Sequence, residues 1–289
     1  MRTLGKAPIS NMLPPGQFWN RRSTVSLAST RFGELRMGRD WVSTHNAWTG
    51  FDPFITLGVA SANTFRSAAS RVLTQAFGTA AAGADPTLQV SNAVEYFLPG
   101  GLGGVYGNVV VTAGEGATPA TGFTRGAGFR LGYARGPVDV AVALFDTKNA
   151  AANSKFRDFV TGGTYDFGVV KLAVAQRRWT YLSDKQANTL LAVSAPIGVG
   201  LLRVSFVRAN QSGATAAQNA NDASLLGIGY LHNLSKRTAL YAQAARVSNK
   251  GAATFAVPGG PAVSNVSSAS NYFGGRASSG AEFGLRHHF

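Results

Sequence analysis

Phe129-Arg130-Leu131-Gly132-Tyr133, a turn at Arg135-Gly136-Pro137, and then Val138-Asp139-Val140-Ala141-Val142-Ala143-Leu144 decide the fold. In both segments the large apolar residues keep one parity, while Arg, Gly, Asp and Ala take the other. That is the period of a β-strand with two different faces. Val170-Lys171-Leu172-Ala173-Val174 and Leu202-Arg203-Val204 repeat it. A soluble sandwich also alternates, but its polar face looks at bulk water and is densely charged. Here that face is mostly Gly, Ala, Ser and Thr with isolated Arg, Lys and Asp. Such a face lines a confined aqueous lumen, and the apolar face then meets lipid.

Working outward, the same period recurs in segments of about ten residues. A first pair occupies Ser23–Ser29 and Glu34–Gly38, and further strands are expected at 91–99, 104–114, 126–135, 137–147, 156–167, 168–179, 186–196, 199–209, 222–233, 237–248 and 280–289. That makes about thirteen. Short turns, as at Pro196-Ile197-Gly198, alternate with longer polar connections at 115–125, 148–155, 180–185, 210–221 and 249–279. Transmembrane barrels alternate in this way, with short periplasmic turns and long extracellular loops. Tyr96, Tyr133, Tyr230 and Phe289 fall near strand ends, where interfacial aromatics sit. The fold class is all-β, an antiparallel transmembrane barrel.

Composition removes the competing classes. Among 289 residues 45% are hydrophobic but only 14% are charged, and 35 are glycine. Disorder is excluded by the plentiful Val, Leu and Phe, and cysteine-ligated metal sites and disulfides by the absence of cysteine. No apolar run approaches the length of a membrane helix. Met1–Pro8 is basic but lacks an apolar region behind it, so it is not a secretory signal. His287 and His288 are adjacent in a strand, point to opposite faces and cannot share a metal. No catalytic constellation is found, Gly100–Gly104 reads as a turn, and no cofactor is implied. The +14 net charge, from 27 Lys and Arg against 13 Asp and Glu, is spread over strands and loops rather than clustered as a nucleic-acid stripe.

Three segments carry a family likeness. Tyr230-Leu231-His232-Asn233-Leu234-Ser235-Lys236-Arg237-Thr238-Ala239-Leu240-Tyr241 resembles a run of Gram-negative general porins, especially the betaproteobacterial type. Phe283–Phe289 resembles their closing strand, and Trp19–Leu27 with Phe32–Arg39 is similar to their fourth and fifth strands. The resemblance covers residues 19 to 289. It implies a 16-stranded barrel, assembled as a homotrimer among outer-membrane lipids, through which ions and small hydrophilic solutes diffuse passively. It also implies that Phe289 is an assembly signal read by the barrel-assembly machinery. An even strand number is expected of such barrels. Three strands and a signal sequence are therefore expected upstream, and 1–18 is set apart as sequence of uncertain origin.

On the same likeness, 41–90 is the loop that folds into the barrel and narrows it. Asp52 is the candidate acid on that loop and otherwise a turn residue before Pro53; Asp85 is its other acid. Arg39 matches a constriction arginine, although its parity with Leu35 and Met37 points it to lipid unless a bulge at Gly38 re-aims it. Arg21 matches a second family arginine. Glu95, in Asn92-Ala93-Val94-Glu95-Tyr96, stands where an arginine is expected. Parity alone places Lys171, Arg130 and Arg203 on the lumen wall. The expected activity is anion-preferring diffusion. A substrate-specific channel, with Phe97 and Phe145 as lumen aromatics, and a non-conducting structural or adhesive barrel are the alternatives.

Overall fold

The computed structural model describes residues 21–78, 86–114, 125–149, 154–258 and 274–288. Within them thirteen antiparallel strands form one sheet in strict sequence order, with β1 and β13 at its edges. The strands are β1 Ser23–Ser29, β2 Gly33–Trp41, β3 Gln89–Phe97, β4 Val105–Thr112, β5 Gly126–Arg135, β6 Val138–Asn149, β7 Ser154–Asp166, β8 Lys171–Tyr181, β9 Asp184–Ile197, β10 Gly200–Ser212, β11 Ala223–Asn233, β12 Thr238–Asn249 and β13 Ala277–His287. The expected count is met. Phe289, Asp85 and the stretch before Arg21 lie outside the described residues.

The alternation read from the sequence is the alternation of burial. In β6, Ala141, Ala143 and Phe145 are buried, while Val140 is 44% exposed. In β8, Ala173, Ala175, Arg177 and Trp179 are buried, while Leu172 and Val174 face outward. The outward band therefore carries Val, Leu, Phe and Ile that a soluble protein would hide, as a lipid-facing barrel surface must.

Several strand boundaries lie two or three residues from expectation, and two differences have local reasons. β8 starts at Lys171 rather than 168, because Gly168 takes φ +83° and its N–H donates to the Asp166 carboxylate at 2.8 Å. The long connection expected at 180–185 is a tight hairpin instead. Leu182 at φ +53° turns it, and β8 and β9 pair as far as Tyr181 and Asp184.

The segment between β2 and β3 covers the sheet's inner face. It contains α1 Ser43–Phe51 and α2 Arg71–Phe77. Neither helix has a side-chain N-cap, and α1, with Thr44, Thr49 and Gly50, has weak intrinsic propensity. Burial holds them. Trp48, Phe51, Phe54 and Phe65 pack on Ala141, Ala143, Ala173, Ala175, Leu190 and Val207 of the wall. Small wall residues make room for large loop residues. Gly227 and Gly229 continue this: a Cβ at Gly227 would lie 2.7 Å from the Ala60 Cβ, and one at Gly229 2.8 Å from the Phe54 ring.

Candidate functional site

The inserted loop is clamped to the wall at both of its ends. Arg177 of β8 is fully buried, and its Nε and Nη2 donate to the two oxygens of Asp158 of β7 at 3.0 and 2.6 Å. Nη2 also donates to the carbonyl of Thr87, where the loop leaves, at 2.5 Å. The Thr44 hydroxyl, where the loop enters, donates to Asp158 at 2.6 Å. A buried ion pair tolerates its desolvation best when the remaining lone pairs and protons are taken up; here the loop takes up part of them, while Arg177 Nη1 is left without a hydrogen-bond partner. Trp179 adds its ring face 5.2 Å from the guanidinium.

Two further ties lie along the loop. Ser70 donates to Gln186 at 2.6 Å, Gln186 donates to the Phe65 carbonyl at 3.2 Å, and Arg71 pairs with Asp184 at 3.2 Å. Asn108 of β4 donates to Ser43 at 2.9 Å and to Glu95 at 3.2 Å.

The clamped loop leaves two open cavities on either side of the segment around Leu57 and Gly58. One, of about 360 Å³, includes Arg21, Trp41, His45, Arg66 and Gln89. The other, of about 450 Å³, includes Arg203, Tyr241, Gln243, Glu282 and Arg286. Among the lining residues of the two, Glu282 is the single acid, and its carboxylate accepts a hydrogen bond from Gln243. Gly58, at φ +71°, holds a backbone conformation that favours glycine, and a Cβ there would have to displace the ends of Gln243 and Glu282. A third cavity of about 400 Å³, near the short turns, holds Lys171 together with Asp166, Phe51 and Pro53.

The expected site residues separate into those that reach open space and those that do not. Arg21 does, with its guanidinium 5.9 Å from the Trp41 ring. So do Arg203 and Lys171. Arg130 is on the lumen side but stacks 5.2 Å over Tyr106, whose hydroxyl donates to Asp139 at 2.7 Å. Its charge is held in a wall network.

Asp52 is corrected. It is 3% exposed, and its carboxylate accepts the backbone N–H groups of Phe54, Thr56 and Ala62 at 2.9–3.0 Å. It shapes the loop from within, as a turn residue, and borders the third cavity with only a small exposed edge. Burial pushes its pKa up to about 6 against the pull of those N–H groups and of Arg203.

Glu95 is also corrected. It is 1% exposed beneath the start of the loop, bonded to Asn108, and not a free lumen charge.

Arg39 meets the expected bulge, where the β2–β3 register shifts between Gly38 and Asp40. Its pairing with Ser23 nevertheless keeps it off the face of Arg36 and Asp40, and it donates to Ser91 at 2.8 Å and Gln89 at 3.3 Å. Its partner Gln89 lines the first cavity. The inner-face guanidinium of β2 is Arg36, bonded to Glu34 and Asp40 at 2.8 Å each.

The sequence reading did not single out Arg66 or Arg286. For Arg286 the signal was present, since Glu282, Gly284 and Arg286 alternate with Phe283 and Leu285. Arg66 lies in the loop, where no periodicity assigns a face. His45, in α1, is buried against Trp41 with ring centroids 4.8 Å apart. Burial, with Arg177 and Arg66 nearby, lowers its pKa to about 3, so it stays neutral.

An all-next-neighbour antiparallel sheet with a lipid-type outer face and a polar, loop-narrowed interior defines a membrane β-barrel channel. The model of the Gram-negative porin family matches residues 10–252, and the chain belongs to that family. It is 32% identical to outer membrane porin protein 32 of Delftia acidovorans over 94% of this chain and 74% of that one. It is 27% identical to a Bordetella pertussis outer membrane porin over 83% and 69%. Among solved structures, an anion-selective porin from Comamonas acidovorans superposes with a TM-score of 0.73 and 29% identity, over 94% of this chain and 78% of that one. The protein is an outer-membrane porin, and diffusion of ions and small solutes is its function.

Proposed function

We propose that this porin's pore prefers anions. One observation carries the reading: Arg21, Arg66, Arg203 and Arg286 line the cavities beside the narrowing loop, against the single acid Glu282. Clustered charge of one sign at a constriction raises the local concentration of counter-ions and selects them. The +14 net charge acts in the same direction. Arg39 stands at the rim and Lys171 in the vestibule near the short turns, where each adds positive potential. Glu95 and Asp52 do not oppose it, because one is covered by the loop and the other is spent on the loop's backbone.

A channel dedicated to one solute would display an aromatic track. Phe145 is instead buried with Val42, Val90 and Val110, and Phe97 lies 4.3 Å beneath the Arg36 guanidinium. The reading is thus passive transport without catalysis. We extend it to a homotrimer in the outer membrane, with Phe289 as the segment that the assembly machinery reads. The reversal potential of the protein in a planar bilayer under a KCl gradient tests the preference. A potential on the chloride side is expected, and one on the potassium side refutes the proposal.

A further inference from the structure

The two cavities beside the loop segment around Leu57 differ in what accompanies their arginines. The one around Arg203 and Arg286 holds an acid, Glu282. The one around Arg21 and Arg66 has no acid among its described lining residues, and part of its wall is flat. Trp41 stands there with the His45 ring 4.8 Å away and tilted by 30°. Trp41 and Gln89 are Cα partners where β2 ends and β3 begins, so this cavity lies toward the long loops.

Several polar atoms beside this cavity are fixed but not fully used. Arg66 is positioned by its Nε, which donates to the Thr87 hydroxyl at 2.8 Å. Gln89 gives its carbonyl oxygen to Arg39 at 3.3 Å, and its buried amide nitrogen has no acceptor among the described residues. His45 is 6% exposed; its Nε2 lies 3.3 Å from the Thr49 hydroxyl, while its buried Nδ1 has no partner there. Buried polar atoms are costly to leave unpaired. Two of them beside one acid-free cavity mark a place where a solute or water completes the set. Because His45 is neutral, it adds a flat surface without adding charge.

Arg21 is exposed, and its guanidinium carbon lies 5.9 Å from the centre of the Trp41 ring. That is the outer limit of a cation–π contact. Flat groups stack at about 3.5–4.0 Å per layer, so a planar ring between guanidinium and indole needs about 7–8 Å, roughly 1–2 Å more than the gap now present. An exposed arginine makes that adjustment by changing rotamer. The cavity volume, about 360 Å³, falls at the lower end of small-molecule sites, which run from about 300 to 1,000 Å³.

We infer that this cavity is a subsite for aromatic carboxylates, with the ring between Trp41 and Arg21 and the carboxylate held by Arg66. Indole and guanidinium planes both stack on an aromatic ring, and the guanidinium fork matches a carboxylate. Chloride and aliphatic carboxylates use the charge alone. The inference rests on the anion preference and names the solute class that the pore retains longest. One indole in an open cavity delays such a solute without closing the channel to other ions.

The test is block of KCl current through the protein in a planar bilayer by benzoate, cyclohexanecarboxylate and benzamide. The two acids share charge and ring size and differ in flatness, whereas benzamide keeps the flat ring without the charge. Benzoate is expected to half-block at a concentration about fivefold lower than cyclohexanecarboxylate, as one aromatic pair supplies. Benzamide is expected to leave the current unchanged at those concentrations. W41L is expected to erase the difference between the acids, and R66Q to raise the half-blocking concentration of both. Equal block by the two acids, or no block by either, overturns the inference, as does a difference that persists in folded W41L. Block by benzamide equal to that by benzoate assigns the cavity to uncharged rings and overturns it too. Should W41L not fold, the three solutes on the unmodified protein still decide. The reversal potential under a KCl gradient, recorded before any solute is added, keeps the two readings apart. A potassium-side value removes the anion preference itself, whereas a chloride-side value with equal block by the acids removes the subsite alone.

Discussion

Arg177 and Arg203 are both lumen-side arginines of the same sheet, two strands apart, and they do opposite things. Arg177 is fully buried, doubly bonded to Asp158 and tied to the loop's exit at Thr87, while Asp158 takes the bond from its entry at Thr44. Arg203 lines an open cavity with Arg286, and its nearest opposing charge, Asp52, is already engaged by three backbone N–H groups. The first arginine is a fastener whose field is cancelled where it arises. The second keeps its field for whatever passes. Identity and parity are the same in both, so the difference lies in whether a carboxylate from the neighbouring strand arrives beside the guanidinium.

The comparison breaks most severely at the fastener. Replacing Arg177 by Gln leaves Asp158 buried without its partner, a change that costs about 3–5 kcal/mol. A lower melting temperature is expected, together with larger and noisier single-channel currents as the loop loses both ends of its tie. Quiet currents of unchanged size in the folded variant would show that the loop is held elsewhere.

Asp52→Ala comes next. It strands three backbone N–H groups inside the loop, at about 1–3 kcal/mol for each that finds no water. The expected result is noisy current with ionic preference intact, which separates a shaping role from a pore-facing one. Asp52 also gives a pH signature. Its folded pKa, near 6, lies above the ordinary carboxylate value, so the folded state holds the proton more tightly. Its contribution to stability is full below about pH 4 and is lost as pH rises through 6. Thermal melting followed from pH 4 to 7 should show that decline as the difference between the wild type and Asp52→Asn. His45 acts in the opposite sense: its folded pKa near 3 lies below its ordinary value of 6.5, so its contribution grows as pH rises through this range, equally in both proteins.

The smallest effect is expected at Lys171, exposed in the wide vestibule beside Asp166. Lys171→Gln should leave melting within about 0.5 kcal/mol, as surface substitutions do, and shift the reversal potential only slightly.

Strands, their order and the inward loop were legible, because a membrane barrel writes its two faces into every second residue. The pairings that decide what each charge does were not. Thr44 meets Asp158 across 114 positions and Ser70 meets Gln186 across 116, and no local period encodes such contacts. Asp52 misled for that reason: a carboxylate in a loop looks available until its own backbone is folded around it. Arg286 sat in plain alternation, whereas the helical turn of α1, rich in Thr and Gly, exists only because the alanine-lined wall receives it.

Arg203 and Arg286, which line the cavity beside the loop, contribute more to the preference for anions than the net charge of the chain does. Reversal potentials of the wild type and of R203Q/R286Q, in one bilayer composition under one KCl gradient, test it most directly. A chloride-side potential that falls markedly toward zero in the double variant, with thermal stability kept, is the expected result. A potential unchanged in a stably folded R203Q/R286Q would contradict it.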